Sequence, residues 1–133
     1  TYNYTIVIEN FNQQVGFYAF LSSSSVPDVS VGEFTLSNDN YSFTYEAGIS
    51  EENGLEEEIK WYDGSDTFSS IQTDESNMFN LGVSDYSTNG ATRSFSGDGK
   101  ILFRLTDKTR KNFDSIPPGT YTSTIYFHVV ADL

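Results

Sequence analysis

Residues 117–133 read Pro117-Pro118-Gly119-Thr120-Tyr121-Thr122-Ser123-Thr124-Ile125-Tyr126-Phe127-His128-Val129-Val130-Ala131-Asp132-Leu133, and this stretch decides the fold. A Pro-Pro-Gly turn leads into a run in which Tyr121, Ile125, Phe127 and Val129 share one face. Thr122, Thr124, Tyr126 and His128 share the other. A period of two marks a strand with one face on a core.

The same alternation stands at the opposite end of the chain. Tyr2, Tyr4, Ile6 and Ile8 interleave with Asn3, Thr5, Val7 and Glu9, which predicts a strand over 2–9. Between the ends, the pattern predicts a buried strand over 15–21 and further strands over 31–36, 41–47, 59–62, 67–73 and 78–83. Turns are expected at Asn10-Phe11-Asn12, at Ser37-Asn38-Asp39-Asn40, at Asp63-Gly64-Ser65-Asp66 and at Asn89-Gly90, with a polar loop from Ser22 to Pro27. Thr92–Ser96 and Lys100–Leu105 read as a hairpin across Gly97-Asp98-Gly99. Ile49–Glu58 reads as a solvated acidic loop, because Gly54 weakens a helix, and Thr106–Ser115 as a basic polar loop. Short strands with turn signals every 8–12 residues indicate an all-β antiparallel sandwich rather than a βαβ fold.

At 133 residues the chain is expected to form one domain. The eleven Phe and nine Tyr suit pleated, half-buried surfaces. There is no Cys, so stability rests on packing rather than disulfides. No apolar run approaches the roughly 20 residues that span a bilayer as a helix. Net charge is −12, divided as −14 over residues 1–92 and +2 over residues 93–133. So negative a field argues against nucleic acid and anionic membrane surfaces as partners. It also raises the prospect that the acidic surface of one copy meets the basic 100–111 region of another.

No cofactor, metal or catalytic set is read from the sequence, and the chain is expected not to be an enzyme. G-x-S-x-G, H-E-x-x-H and P-loop motifs are missing. His128 is the only His, and a lone His is a poor metal centre. The acids Glu51, Glu52, Glu56, Glu57 and Glu58 read as a solvated loop, with a calcium site through oxygen ligands as the sharper alternative. Trp61 and Tyr126 are the candidate ligand platform, since aromatic rings pair an apolar body with a polar tip. Asn3-Tyr4-Thr5 and Asn40-Tyr41-Ser42 match the N-glycosylation triplet, Asn40 being the better placed in its turn.

Ile116-Pro117-Pro118-Gly119-Thr120-Tyr121-Thr122-Ser123-Thr124-Ile125, preceded by Lys100-Ile101-Leu102-Phe103-Arg104-Leu105, resembles the ending of secreted fimbrial subunits of the spore-coat-protein-U-like and chaperone–usher kind. The resemblance covers roughly residues 99–131. It implies an immunoglobulin-like sandwich, incomplete and completed by a neighbour's N-terminal strand. It further implies a donor segment over 1–10 and a sandwich domain over 11–133. Tyr2, Tyr4, Ile6 and Ile8 would be the donor side chains, and Tyr121, Ile125, Phe127 and Val129 would line the acceptor groove. The partners implied are identical copies joined head to tail, with a chaperone and an usher, in a secreted extracellular filament serving adhesion or biofilm formation. The chain departs from that family in lacking Cys, in placing Tyr126 and His128 where Thr is usual, and in carrying no matching motif before residue 99. A carbohydrate-binding sandwich module or adhesin domain is the alternative, motivated by the surplus of aromatic residues.

Overall fold

The computed structural model describes residues 1–9, 14–26, 32–65, 78–84 and 92–132. The turns expected at 10–12 and 89–90 and the strand expected over 67–73 lie outside these residues. The strands are β1 (Tyr2–Glu9), β2 (Val15–Ser22), β3 (Phe34–Ser37), β4 (Ser42–Glu51), β5 (Lys60–Tyr62), β6 (Phe79–Ser84), β7 (Thr92–Leu105) and β8 (Tyr126–Asp132). One short helix, α1 (Asp107–Lys111), and 3-10 turns at Glu56–Glu58 and Phe113–Ser115 complete the described elements. The chain is all-β and antiparallel, as the alternation predicted.

The strands form two sheets. The larger has five strands in the order β1-β7-β4-β3, with β5 also on β4; the smaller has three in the order β6-β2-β8. β7 organises the larger sheet. Its first half pairs with β1, from Tyr2 against Gly99 to Glu9 against Thr92. Its second half pairs with β4, from Glu51 against Gly99 to Tyr45 against Leu105. Gly99 is thus flanked on both edges, and the two partners are staggered along β7.

The core sits between the sheets. Ala19, Phe20 and Leu21 are fully buried, so β2 is covered on both faces, as its unbroken apolar run predicted. Phe34, Tyr45, Ala47, Ile49 and Leu81 meet it from the neighbouring strands. Phe34 stacks on Tyr45 with ring centroids 5.4 Å apart. Gly64 makes the turn after β5 possible. Its φ of 91° is a region that glycine enters freely, and a Cβ there would collide with the Phe34 backbone nitrogen.

Four sequence expectations are corrected. Ile49–Glu51, read as the start of a solvated acidic loop, continue β4 against β7, with Ile49 fully buried in the core. Gly97-Asp98-Gly99 is not a hairpin turn, since β7 runs straight through it for 14 residues. The physical reason is that Tyr4 and Tyr2, directly opposite Gly97 and Gly99, lay their rings over the two glycines; a Cβ at either site would overlap a tyrosine hydroxyl. The glycines make room rather than bend the chain. The basic loop after β7 contains α1, capped by the Thr106 side chain, which accepts from the Thr109 N–H, with Lys108, Arg110 and Lys111 complementing the C-terminal end. The closing run is not one continuous strand. Thr122 and Ser37 exchange backbone hydrogen bonds of 2.9 and 3.0 Å at the larger sheet, and the chain then crosses to pair as β8 with β2.

Candidate functional site

The first site is the slot that holds β1. The side chains of β1 alternate strictly between half-buried and exposed: Tyr2, Tyr4, Ile6 and Ile8 face in, and Asn3, Thr5, Val7 and Glu9 face out. The Tyr4 hydroxyl donates to the Leu81 carbonyl at 2.6 Å, which ties β1 to the smaller sheet. Its ring meets Phe95 edge-on with centroids 6.3 Å apart. The Tyr2 ring packs on Phe127 at 5.2 Å. Its hydroxyl is buried and has no hydrogen-bond partner among the described residues. Burial, then the neighbouring Tyr4 and Asp98, push the Tyr2 phenol up to about 12. Burial chiefly, with Asp98 and Glu51, also raises Tyr4. The side chains expected to act as a donor strand therefore lie, within the single chain, in a slot of their own β7.

The residues expected to line an acceptor groove are dispersed by the break after Thr122. Ile125 lines an apolar groove of about 520 Å³ together with Leu36, Tyr45, Phe103, Leu105 and Ser123. Phe127 meets Tyr2. Val129, on the same face of β8, is half-exposed. Tyr121 stands apart: its ring packs edge-on against Phe43 at 5.0 Å and its hydroxyl donates to the Pro117 carbonyl at 2.6 Å.

Beside that groove lies a feature the sequence did not announce. β1 covers one edge of β7 only as far as Gly99. From Lys100 to Leu105 that edge carries no strand among the described residues, while β4 occupies the other edge. Phe103, on the inward face with Ile101 and Leu105, is 63% exposed. The missed signal was the stagger itself, which a hairpin reading of Gly97–Gly99 conceals.

Trp61 and Tyr126 are not brought together. Trp61, paired with Gly48, is on the larger sheet, whereas Tyr126 begins β8 of the smaller one and stacks on His128 with centroids 6.4 Å apart. The Trp61 ring is also occupied. It packs against Gly48, and the Arg104 guanidinium sits 3.9 Å from its centroid, held there by a 2.7 Å ion pair with Glu46. His128 is half-buried against Phe20, with Nε2 2.8 Å from the Ser24 carbonyl and 2.9 Å from the Ser22 hydroxyl. Glu56 and Glu57 share a pocket with Trp61 and Arg104, so acidic and basic segments already meet inside one chain. Among the described residues no group of three His, Cys, Asp or Glu side chains is placed to hold a metal ion. Asn40 is exposed in its turn, and Asn3 is exposed on the outward face of β1.

A scan against protein-family models, a search of curated proteins and a search of solved structures each returned no match. The chain is an all-β antiparallel sandwich in which β1 and β4 are staggered along β7.

Proposed function

We propose that this chain is a non-enzymatic structural subunit of an extracellular filament, joined to its neighbours by exchange of β1. The observation that carries the reading is the character of the β1 slot. Among the described residues β1 pairs with a single strand, β7, and docks on it through alternate side chains that fit over Gly97 and Gly99. Nothing in those contacts requires that strand and slot belong to the same copy. Exchange in trans keeps every pair and replaces an intramolecular contact by an identical intermolecular one, the low-cost route to domain swapping. Because donor and slot are different surfaces of the molecule, each copy gives one strand and takes one, and the contact propagates. The docking in cis is then the resting state of the free subunit. The resemblance of residues 99–131 to fimbrial subunits points the same way, although the slot for β1 lies on β7 rather than beside the closing run. The covered ring of Trp61 and its distance in the fold from Tyr126 offer nothing to the glycan-binding alternative.

The test is a reversible lock. Thr5 and Ser96 lie directly opposite each other on the outward face, hydroxyls 3.0 Å apart. Replacing both with Cys in this cysteine-free chain allows β1 to be fastened to its own body by oxidation. Under reducing conditions, electron microscopy should show filaments. The oxidised monomer should stay folded and form none, and oxidising finished filaments should yield a covalent ladder on non-reducing gels. Filaments growing equally well from the locked monomer would end the proposal.

A further inference from the structure

We propose that Asn40, at the tip of the β3–β4 hairpin, is the acceptor of a covalent N-linked glycan and that Asn3 is not, an inference that rests on the extracellular placement proposed above. Asn-x-Ser/Thr accepts glycans where it lies on the surface of a secreted chain. Ser37 pairs with Ser42, so residues 38–41 form the tip. Asn38 holds the tip closed. Its N–H donates to the Tyr41 carbonyl at 3.0 Å, and its side-chain oxygen accepts from the N–H groups of Asn40 and Tyr41 at 3.0 and 2.9 Å. The turn therefore makes no use of the Asn40 side-chain amide. Asn40 and Ser42 are both exposed, and neither side chain hydrogen-bonds to another described residue.

Asn3 opens the same kind of triplet and is also exposed, but Asn3, Tyr4 and Thr5 lie within β1, opposite Asp98, Gly97 and Ser96. The Tyr4 hydroxyl donates to the Leu81 carbonyl at 2.6 Å, and the Thr5 hydroxyl already has the Ser96 hydroxyl 3.0 Å away. A transferase must draw the triplet into its own cleft and read the hydroxyl of the third residue. At Asn3 that requires β1 to leave β7; at Asn40 it requires only the tip. In the transfer, the Asn40 side-chain nitrogen bonds to the anomeric carbon of a sugar carried on a lipid diphosphate. The bond from that carbon to the diphosphate oxygen breaks, the lipid diphosphate leaves with the electron pair, and the amide gives up one proton. The surroundings of the tip suit a sugar. A polar cleft of about 260 Å³ lies against the hairpin, with Thr35, Tyr41, Ser42, Lys108 and Asn112 in its lining. Their hydroxyl, ammonium and amide groups are hydrogen-bond partners for a pyranose ring. The tip is also remote from the exchanged strand, since β3 and β1 stand at opposite ends of the strand order. A glycan on Asn40 is thus compatible with β1 passing to a neighbour.

The test incubates the folded full chain with an oligosaccharyltransferase and a lipid-linked oligosaccharide, and uses a short Asn-x-Thr peptide to show that the enzyme is active. Intact mass should rise by a single glycan, and chymotryptic peptides should place it on Asn40. Asn40→Gln and Ser42→Ala should each abolish the gain. Ser42→Thr, which keeps the hydroxyl, should retain it, and Asn3→Gln should leave it unchanged. Protein released from the surface of its source cells should carry a glycan on the same peptide. A parent chain that stays at its bare mass while the control peptide is modified would overturn the inference. So would a glycan on Asn3 of the folded chain, or a bare Asn40 in the surface-released protein. A chain modified at Asn40 that forms no filaments would sink the exchange of β1 and leave this site standing.

Discussion

Tyr2 carries two opposed effects on one ring. Its aromatic body fills the space over Gly99 and packs on Phe127, while its hydroxyl is buried without a partner among the described residues. A buried polar group left unpaired costs about 1–3 kcal/mol. Tyr2→Phe keeps the ring and removes that cost, so it should stabilise the chain, raising Tm by about 4 °C for each kcal/mol gained. A calorimetric Tm equal to or below that of the parent chain would contradict the assignment. The same burial predicts a pH dependence. The Tyr2 phenol titrates near 10 when unfolded and about 12 when folded, so the fold favours its neutral form. The stabilising contribution is whole below about pH 10 and is lost as pH rises through 12. Between those values, thermal stability should fall more steeply in the parent than in Tyr2→Phe. Parallel curves would show that Tyr2 has no part in the decline.

At the scale of the element, β1 and β7 test each other. Gly97→Ala or Gly99→Ala places a methyl group where a tyrosine hydroxyl now lies, while neither glycine has a positive φ to be strained by the change. The ring must move, and β1 should lift from β7 while the core around Phe20 holds. Overpacking of this kind costs roughly 1–3 kcal/mol. Amide exchange of residues 2–9 should accelerate well before that of residues 18–21; uniform acceleration would count against local release. A second element prediction concerns α1. Thr106→Ala removes the cap and the 2.6 Å contact with the Thr44 hydroxyl, and should cost about 1 kcal/mol by denaturant titration, in line with other lost N-caps.

These elements also show what a sequence discloses. β1, β2 and β6 follow directly from period and apolar run, because each element's own residues carry the signal. The Gly-Asp-Gly segment misleads, because what straightens it comes from tyrosines more than ninety positions away, and no local pattern records them. α1 is five residues long, too short for a helical period to declare itself, though Thr106 and the cations of the last turn were its signs. The crossing after Thr122 is silent for a similar reason, since alternation continues while the hydrogen-bond partner changes from β3 to β2. Of the candidate site, the inward residues of β1 were legible. The stagger of β1 and β4 along β7 was not, because it follows from pairings far apart in the sequence.

For the whole molecule, the division of charge along the sequence is partly erased by folding. Glu56 and Glu57 come to lie beside Arg104, and Glu46 pairs with it. The surplus that remains is large for so small a body, at −12 overall. Such self-repulsion is screened over about 10 Å at 0.1 M salt. Raising sodium chloride from low millimolar to that level should raise the Tm of the chain. A Tm that falls with salt would mean that the ion pairs outweigh the repulsion.

The double-sided burial of β2 has a consequence for how the molecule comes apart. With Ala19, Phe20 and Leu21 fully covered and strands on both of its edges, the middle of the smaller sheet is the region that yields last. Among the described residues, β1 pairs with β7 alone. Detachment at the periphery is thereby uncoupled from collapse at the centre, and β1 can lift from β7 while the strands around Phe20 stay folded.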